Sequence, residues 1–246
     1  MAQQPADSIW MRPEHAAVGR PAHRSRDEIT AAALAIADAD GLDAVSMRRV
    51  AAELGTGAAS LYRYLDNRDD LLDLMVDATG AEYTFDAPTG DWLADLVAIG
   101  EQGRAIFGRH PWLAGLVIVR PVLGPSGLVL LEHVLDILAG HPADIGTKLE
   151  AFAMLTALTA LFVQNEQAGG ADRQQRNAAY LQHSLASGEH SRLAGLLAQL
   201  PAEPEAAAGP RDVPPGAGPA RSPAPAAADR YADLLGRILV GILASG

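Results

Sequence analysis

Hydrophobic positions along this chain recur three and four residues apart, the spacing of one helix face, and neither a strand signal nor an internal repeat stands out. Early in the chain Ile29, Ala33 and Ile36 follow this spacing, and Gly41 supplies a stop. The pattern predicts helices at 26–40, 47–54, 58–65, 68–83, 92–109, 111–119, 126–139, 142–167, 172–187, 191–200 and 229–243. An all-α fold is therefore expected.

Segments rich in Pro, Gly and Asp separate the predicted helices. The sequence DAPTGD, residues 86–91, marks a turn after the fourth of them. The longest such segment, PAEPEAAAGPRDVPPGAGPARSPAPAA at 201–227, offers little apolar surface to bury. This low-complexity composition predicts a disordered loop, which a final apolar helix follows.

Composition excludes several kinds of chemistry. The chain has 246 residues and no cysteine, so disulfides, a thiolate nucleophile and zinc–thiolate sites are absent. No apolar run reaches the length expected of a membrane span, and residues 1–19 lack the apolar core of a signal peptide. We therefore expect a cytoplasmic protein without a membrane partner.

The charge of the chain is uneven. A formal net charge of −11 argues against a general binder of polyanions. Positive charge is nevertheless concentrated near the N-terminus and in the segment around residues 45–72, in Arg12, Arg20, Arg24, Arg26, Arg48, Arg49, Arg63 and Arg68. A local basic footprint on an acidic body is compatible with this pattern.

The stretch VSMRRVAAELGTGAASLYRYLDNRDDLL, residues 45–72, contains two short helical segments around a turn at 54–56. This is the arrangement of a helix-turn-helix, whose second helix can enter the major groove of DNA. Leu61 and Leu65 are expected to face inward. The residues expected to face the groove or its walls are Ala58, Ala59, Ser60, Tyr62, Arg63 and Tyr64. For the two tyrosines the alternative is packing inside an ordinary helical bundle.

The span 24–75 resembles the DNA-binding domain of the TetR family of repressors. The helix periodicity, the turn glycine Gly55, the Leu61-Tyr62 pair and the Asn67-Arg68 cap recur at the offsets of that family. The resemblance implies a flexible basic arm at 1–23, a three-helix helix-turn-helix domain at 24–70, and a larger helical bundle at 71–246 for ligand binding and dimerisation. The loop at 201–227 falls inside this last domain.

The resemblance also assigns roles in DNA binding. Ser46 caps the second helix and contacts phosphate, and Arg48 reads a base or the backbone. The recognition helix carries Tyr62 and Tyr64 as phosphate anchors, with Arg68 as a further phosphate contact. Because Ala58 and Ala59 have no hydrogen-bonding side chain, discrimination between bases rests on Arg48, Ser60 and Arg63, or on DNA shape. The arm lies along the minor groove or is a solvated tail.

Beyond residue 91 the sequence resembles, more loosely, the C-terminal domain of the tetracycline-repressor branch. That branch holds a magnesium-chelated drug with a histidine-containing turn, but the turn here reads VIVRPVLGP. We therefore expect no metal and no cofactor, and an apolar or aromatic small molecule as inducer. Candidate pocket residues, each of which has core packing as the alternative, are Phe107, Trp112, Leu116, Phe152, Met154, Thr156, Thr159 and Gln164.

Two other classes of protein are alternatives to a TetR-like repressor. An all-helical enzyme lacks a convergent acid, base or nucleophile here: Ser126, in GPSG, is not at the centre of G-x-S-x-G and is expected to cap a helix. A ligand-independent architectural DNA-binding protein is the other. The resemblance favours a homodimeric repressor, not an enzyme, with a palindromic operator near an export or metabolic gene.

Overall fold

The computed structural model describes residues 8–13, 24–168, 171–188, 190–199 and 227–244, and over these residues it contains helices and no strand. The α-helices are α1 Arg26–Asp40, α2 Met47–Glu53, α3 Ala58–Leu61, α4 Arg68–Gly80, α5 Trp92–Arg109, α6 Leu113–Val119, α7 Pro125–Ile137, α8 Ile145–Ala168, α9 Ala171–Ala186, α10 Ser191–Leu197 and α11 Ala227–Leu243. Short 3-10 helices occupy Ile9–Met11 and Leu42–Ala44. The all-α prediction is confirmed.

Side-chain caps fix where the first helices begin. Ser25 accepts the backbone N–H of Glu28, whose side chain in turn accepts the N–H of Ser25, a capping box that starts α1. The Ser46 hydroxyl accepts the N–H of Arg49 at 3.2 Å and starts α2. Asn67 does the same for α4 at 2.9 Å. Because these caps act over three residues, the sequence predicted the starts of the helices correctly.

The third and the fourth predicted helices, which belong to the head, end early. The third ends at Leu61 rather than at 65, and residues 62–64 form a turn in which the N–H of Tyr64 donates to the carbonyl of Leu61 at 2.9 Å. The fourth ends at Gly80 rather than at 83. The predicted loop at 201–227 lies outside the described residues, except that its last residue begins α11.

One hydrophobic cluster joins the first four helices to the next ones. We call residues 26–80, α1 to α4, the head, and α5 to α8 with α11 the body. Buried side chains of both meet in this cluster, among them Ile29, Val50, Leu61, Leu71, Met75, Ile106, Phe107, Leu113 and Ala160. Head and body therefore share a core, and a displacement of one is felt by the packing of the other.

A second hydrophobic cluster lies within the body and holds α11 against α5. Tyr231, Leu235 and Leu239 recur four residues apart on α11 and are fully buried. A Cβ added at Gly100 of α5 would clash with Leu235 and Tyr231, so this glycine permits the close approach of the two helices. Burial raises the pKa of Tyr231 to about 12, and its hydroxyl pairs with that of Thr159.

The chain divides into two compact units, residues 1–166 with 227–246, and residues 167–226. The first contains both the head and the body. The second contains α9 and α10, whose described side chains are mostly exposed. The predicted boundaries at 23 and 70 stay predictions, since the head and the body fall in the same unit.

Among the described residues, α8 is the one helix whose length and apolar composition would allow it to cross a membrane. The expectation that no apolar run is long enough was therefore wrong. Length and composition are equally those of a core helix, and Ala151, Leu155 and Val163 of α8 are buried in the two clusters.

Candidate functional site

Part of the head presents side chains to solvent that no described residue binds. Arg48, Ala59, Tyr62 and Arg63 are exposed, and we call them the exposed head surface. The side chain of Tyr62 is 52% exposed, although the preceding Leu61 is completely buried. Within the described part of the chain, neither Arg48 nor Arg63 forms an ion pair or a side-chain hydrogen bond. Their donors remain available to a partner.

Three other predicted DNA-binding residues are buried or half-buried. Tyr64 is 7% exposed and packs in the head core, so its assignment to the outer face was wrong. Tyr64 lies three residues after the buried Leu61, and its N–H donates to the carbonyl of Leu61, so both side chains point to the same inward face. The hydroxyl of Ser60 donates to the carbonyl of Gly57 at 2.7 Å and meets that of Thr56. Ser60 is half-buried, as is Ala58.

Arg68, predicted to contact phosphate, is tied to the head. Its Nε donates to the carbonyl of Val45 at 3.0 Å, and one Nη donates to that of Leu42 at 3.2 Å. These bonds join the start of α4 to the loop before α2. The guanidinium is exposed, but two of its nitrogens stabilise the head, a role that the sequence analysis did not foresee.

The described part of the N-terminal arm is docked on the head. Ile9 is 1% exposed, which contradicts the prediction of a flexible segment for residues 8–13. Arg26 of α1 donates to the carbonyls of Ile9, Arg12 and Tyr64 at 3.0–3.1 Å. Arg12 pairs with Asp66 and Asp70, and the hydrogen bond to Asp70 raises the pKa of Arg12.

Arg24, also part of the predicted basic segment, donates to the carbonyl of Leu54 at 2.7 Å. Arg20 lies outside the described residues. The described N-terminal arginines therefore hold the head together by charge-assisted bonds to its own oxygens.

A polar cluster connects the head to the body. Asp38 of α1 accepts hydrogen bonds from the Nδ1 of His110 and from the indole Nε1 of Trp112, each at 2.7 Å. The Nε2 of His110 lies 2.7 Å from a carboxylate oxygen of Glu82, which also pairs with Arg109. Burial alone would lower the pKa of His110, but its bonds to Asp38 and Glu82 raise it above the ordinary value.

A cavity of about 460 Å³ opens between α4, α5, α6, α7 and α8. Its volume is within the range of pockets that hold drug-sized ligands. Most of its wall is apolar, with Tyr83, Phe107 and Phe152 as its aromatic members. Burial raises the pKa of Tyr83, so its phenol stays neutral. The cavity is suited to an apolar molecule.

Three of the eight residues predicted for a ligand pocket line this cavity: Phe107, Phe152 and Thr156. The other five do not, and this corrects the selection made from the sequence. The side chain of Trp112 forms a hydrogen bond with Asp38, and that of Thr159 forms one with Tyr231. Leu116 is core, while Met154 and Gln164 are exposed. The sequence gives the faces of a helix, but not which neighbour each face meets.

Asp77 is a cavity residue that the sequence analysis missed. One of its oxygens, Oδ1, accepts the backbone N–H groups of Ser126 and Gly127, at 3.0 and 3.1 Å. The first turn of α7 is thus capped from α4, and Ser126 does not cap it through its own hydroxyl, contrary to expectation. No sequence signal could reveal this pair, because its members are 49 and 50 residues apart.

A second cavity, of about 480 Å³, lies between the 3-10 helix Ile9–Met11, α1, α4 and α7. Its wall includes Trp10, Arg26 and Thr30, and it shares Asp77 with the first cavity. Asp77 therefore stands on α4 between the two cavities.

Comparison with known proteins agrees with this geometry. The chain is similar to the HTH-type transcriptional repressor DrrR1 of Streptomyces coeruleorubidus, 47% identical over 114 residues, which are 46% of this chain and 42% of that one. An HTH-type transcriptional regulator of Saccharopolyspora erythraea is 36% identical over 133 residues, 54% of this chain and 56% of that one. The chain spans about half the length of these curated relatives. They are named as regulators, not as enzymes.

Solved structures extend the likeness to nearly the whole chain. The TetR family protein ActR of Streptomyces coelicolor in complex with (S)-DNPA is 29% identical, with a TM-score of 0.68 over 90% of this chain and 98% of that one. Its complex with actinorhodin gives a TM-score of 0.67 at 29% identity, over 92% and 98% of the two chains.

Two family models match the chain. The model described as bacterial regulatory proteins, tetR family, matches residues 29–75, which lie within the head. The model described as tetracyclin repressor-like, C-terminal domain, matches residues 85–206. Because the two together match more than half of the chain, this protein belongs to the TetR family and carries a tetracycline-repressor-like C-terminal domain.

Proposed function

We propose that the protein is a ligand-responsive transcriptional repressor that binds operator DNA and releases it when a small molecule enters the cavity. The observation that carries this proposal is the exposed head surface. In it, Arg48, Tyr62 and Arg63 present donors that no described residue uses, while Arg12, Arg26 and Arg68 of the same region are bound to the protein.

The chemistry of this surface suits DNA. Guanidinium groups bind guanine edges and phosphates, and a tyrosine hydroxyl reaches phosphate. Arg48 is on the first turn of α2, and Tyr62 and Arg63 follow α3 directly. The small Ala59 beside them allows close approach to the bases. Because only these local contacts meet phosphate, an acidic chain can still bind DNA with strong salt dependence.

The position of α4 supports a response to ligand. This helix begins at the Asn67 cap in the head and supplies Val76, Asp77, Thr79 and Gly80 to the cavity wall. A ligand that binds one position of α4 more tightly than another shifts the equilibrium of the head toward the corresponding conformation. The size of the shift cannot exceed the difference between the two binding free energies. The complexes of ActR with (S)-DNPA and with actinorhodin support a small-molecule ligand here, and the mostly apolar wall of the cavity favours an apolar or aromatic one.

A homodimer completes the proposal. Leu149, Met154 and Leu161 of α8 and Val240 of α11 are large apolar side chains left exposed in the single chain. Paired with a second copy, such helices form a four-helix interface. Twofold symmetry then places two heads on the half-sites of a palindromic operator. Because operator DNA is cytoplasmic, a repressor that binds it works in the cytoplasm.

The DNA-binding part of the proposal is tested with a fluorescein-labelled duplex that carries the palindrome of the adjacent promoter. Binding is followed by anisotropy for wild type, Tyr62→Ala and Arg63→Ala. Arg192→Ala is the control, since Arg192 is an exposed arginine of α10, outside the head and the proposed dimer interface. We expect at least about tenfold weaker binding for the two head variants and no change for the control.

Equal affinity of all four proteins, with dimers intact, would remove the exposed head surface from DNA binding. The response to ligand is tested separately by adding planar aromatic and amphipathic compounds, one at a time, to the preformed complex. Release of DNA supports a repressor. A ligand that binds the protein and leaves the DNA affinity unchanged favours the alternative, a ligand-independent architectural DNA-binding protein. The other alternative, an all-helical enzyme, requires chemical turnover of the ligand.

A further inference from the structure

We propose that the cavity selects an apolar molecule that carries a protonated amine, and that Asp77 is the residue that binds the amine. This inference rests on the proposed function only in that the cavity must hold a ligand. It adds the chemical class of the ligand and the residue that determines it.

Asp77 is the one charged side chain among the described residues that line the cavity. The other polar side chains in the wall are the hydroxyls of Thr79, Tyr83 and Thr156. Thr79 donates to the carbonyl of Val76 at 2.7 Å, and Thr156 donates to that of Phe152 at 3.2 Å. An ionic group of a ligand therefore meets a single opposite charge in an otherwise apolar space.

The carboxylates of α4 differ in whether they have a cation. Asp69 and Asp73 pair with Arg120, and Asp70 pairs with Arg12. For Asp77, no arginine, lysine or histidine lies within ion-pair distance among the described residues. The α4 carboxylate without a cation is thus the one in the cavity wall.

Asp77 also retains unused acceptor capacity. Its Oδ1 accepts the N–H groups of Ser126 and Gly127, which keeps the carboxylate oriented. Over the part of the chain that the structure describes, Oδ2 accepts no hydrogen bond. A carboxylate offers about four acceptor sites, so an ammonium group can bind without displacing the α7 backbone.

In an apolar cavity, the charge of the Asp77 carboxylate discriminates between ligands of different charge. A charge loses its hydration on entry, and only an opposite charge with good geometry offsets that loss. An ammonium finds this partner in Asp77. A neutral molecule gains at most a hydrogen bond and no ion pair from it, and an anion is repelled by the same carboxylate across a wall of low dielectric constant.

Three pyrene probes with one aromatic body test the inference: pyrenemethylamine, pyrenemethanol and pyrenecarboxylate. Their affinities for the full chain are measured by fluorescence titration at pH 7.5. We expect wild type to bind the amine at least about tenfold more tightly than the alcohol, and to bind the carboxylate most weakly. This ranking requires no variant.

Asp77→Asn removes the charge but keeps an oxygen that can accept the two α7 N–H groups. Asp91→Asn is the matched control, because Asp91 also caps a helix through a carboxylate oxygen, at 3.1 Å from the N–H of Ala94, and is not part of the cavity wall. We expect Asp77→Asn to bring the affinity for the amine down to that for the alcohol. The alcohol should bind both variants as it binds wild type.

Equal binding of amine and alcohol by wild type overturns the inference and leaves the proposed function standing. Loss of all three probes in Asp77→Asn also overturns it, because Asp77 would then act only on the structure. If wild type binds none of the probes, the cavity is not a ligand site for molecules of this shape, and the inference falls together with the ligand-binding part of the proposed function.

Discussion

Arg48 and Arg63 extend from the exposed head surface into solvent, whereas Arg12, Arg26 and Arg68 of the same region donate to oxygens of the protein. The residue type is the same, and all five arginines belong to the N-terminal segment and the head. What differs is the partner: three of these guanidinium groups join segments of the head and the N-terminal segment, and two have none among the described residues.

This difference shows that a cluster of positive charge in a sequence has two meanings. A guanidinium bound to backbone carbonyls contributes to folding, and its charge is only partly available to DNA. A guanidinium in solvent contributes little to folding and keeps its donors for phosphates and bases. The basic footprint of this head is therefore smaller than its arginine content indicates.

The largest expected effect is on folding, at Arg26. Its guanidinium donates to the carbonyls of Ile9, Arg12, Pro13 and Tyr64, so Arg26→Ala leaves several acceptors without a partner. We expect the free energy of unfolding to fall by roughly 3 kcal/mol. Urea denaturation measures this change. For the control, Arg63→Ala, we expect a free energy of unfolding within about 0.5 kcal/mol of that of wild type. Similar losses of stability in both variants would contradict the distinction between arginines bound to the protein and arginines in solvent.

The next effect is on DNA selectivity, at Arg48. We expect Arg48→Ala to weaken operator binding by roughly 1–3 kcal/mol and to relax selectivity at one base position. Anisotropy titrations against duplexes substituted at single positions measure this. The neighbouring Arg49 pairs with Asp40 at 2.6 Å, and Arg49→Ala should keep the selectivity of wild type. Unchanged selectivity in Arg48→Ala would make this residue a backbone contact.

Arg68 sharpens the comparison because its two roles can be separated. If its main role is to hold Val45 and Leu42, Arg68→Ala lowers the free energy of unfolding by roughly 1–2 kcal/mol. A phosphate contact instead weakens binding to all DNA sequences while stability stays that of wild type. Denaturation and anisotropy on one preparation decide between them, and loss of DNA affinity alone would restore the assignment made from the sequence.

The smallest effect is a dependence of stability on pH, from His110 between head and body. Its pKa is raised in the folded protein by Asp38 and Glu82 against the opposing effect of burial. The stabilisation is therefore complete below the unfolded value of 6.5 and is lost as the pH rises through the higher pKa of the folded state. Denaturation midpoints of wild type and His110→Gln at pH 5.5 and pH 8.5 test this. We expect their difference to shrink at the higher pH, and a constant difference would exclude His110 titration.

Local sequence determined much of the fold. The cap residues Ser25, Ser46 and Asn67 act within three residues, and apolar spacing repeats within one or two turns, so helix starts and inward faces such as that of Leu61 were predictable. The offsets around Gly55 and Tyr62 also sufficed to recognise the helix-turn-helix. All of this depends on contacts between near neighbours in the chain.

Contacts between distant segments decided the rest. Trp112 was assigned to the pocket, but Asp38, 74 residues away, holds its indole. The partners of Asp77 are almost as distant, at 49 and 50 residues. Helical periodicity shows that a face is buried, but the neighbour it meets follows from how the helices pack, and only the tertiary structure contains that information.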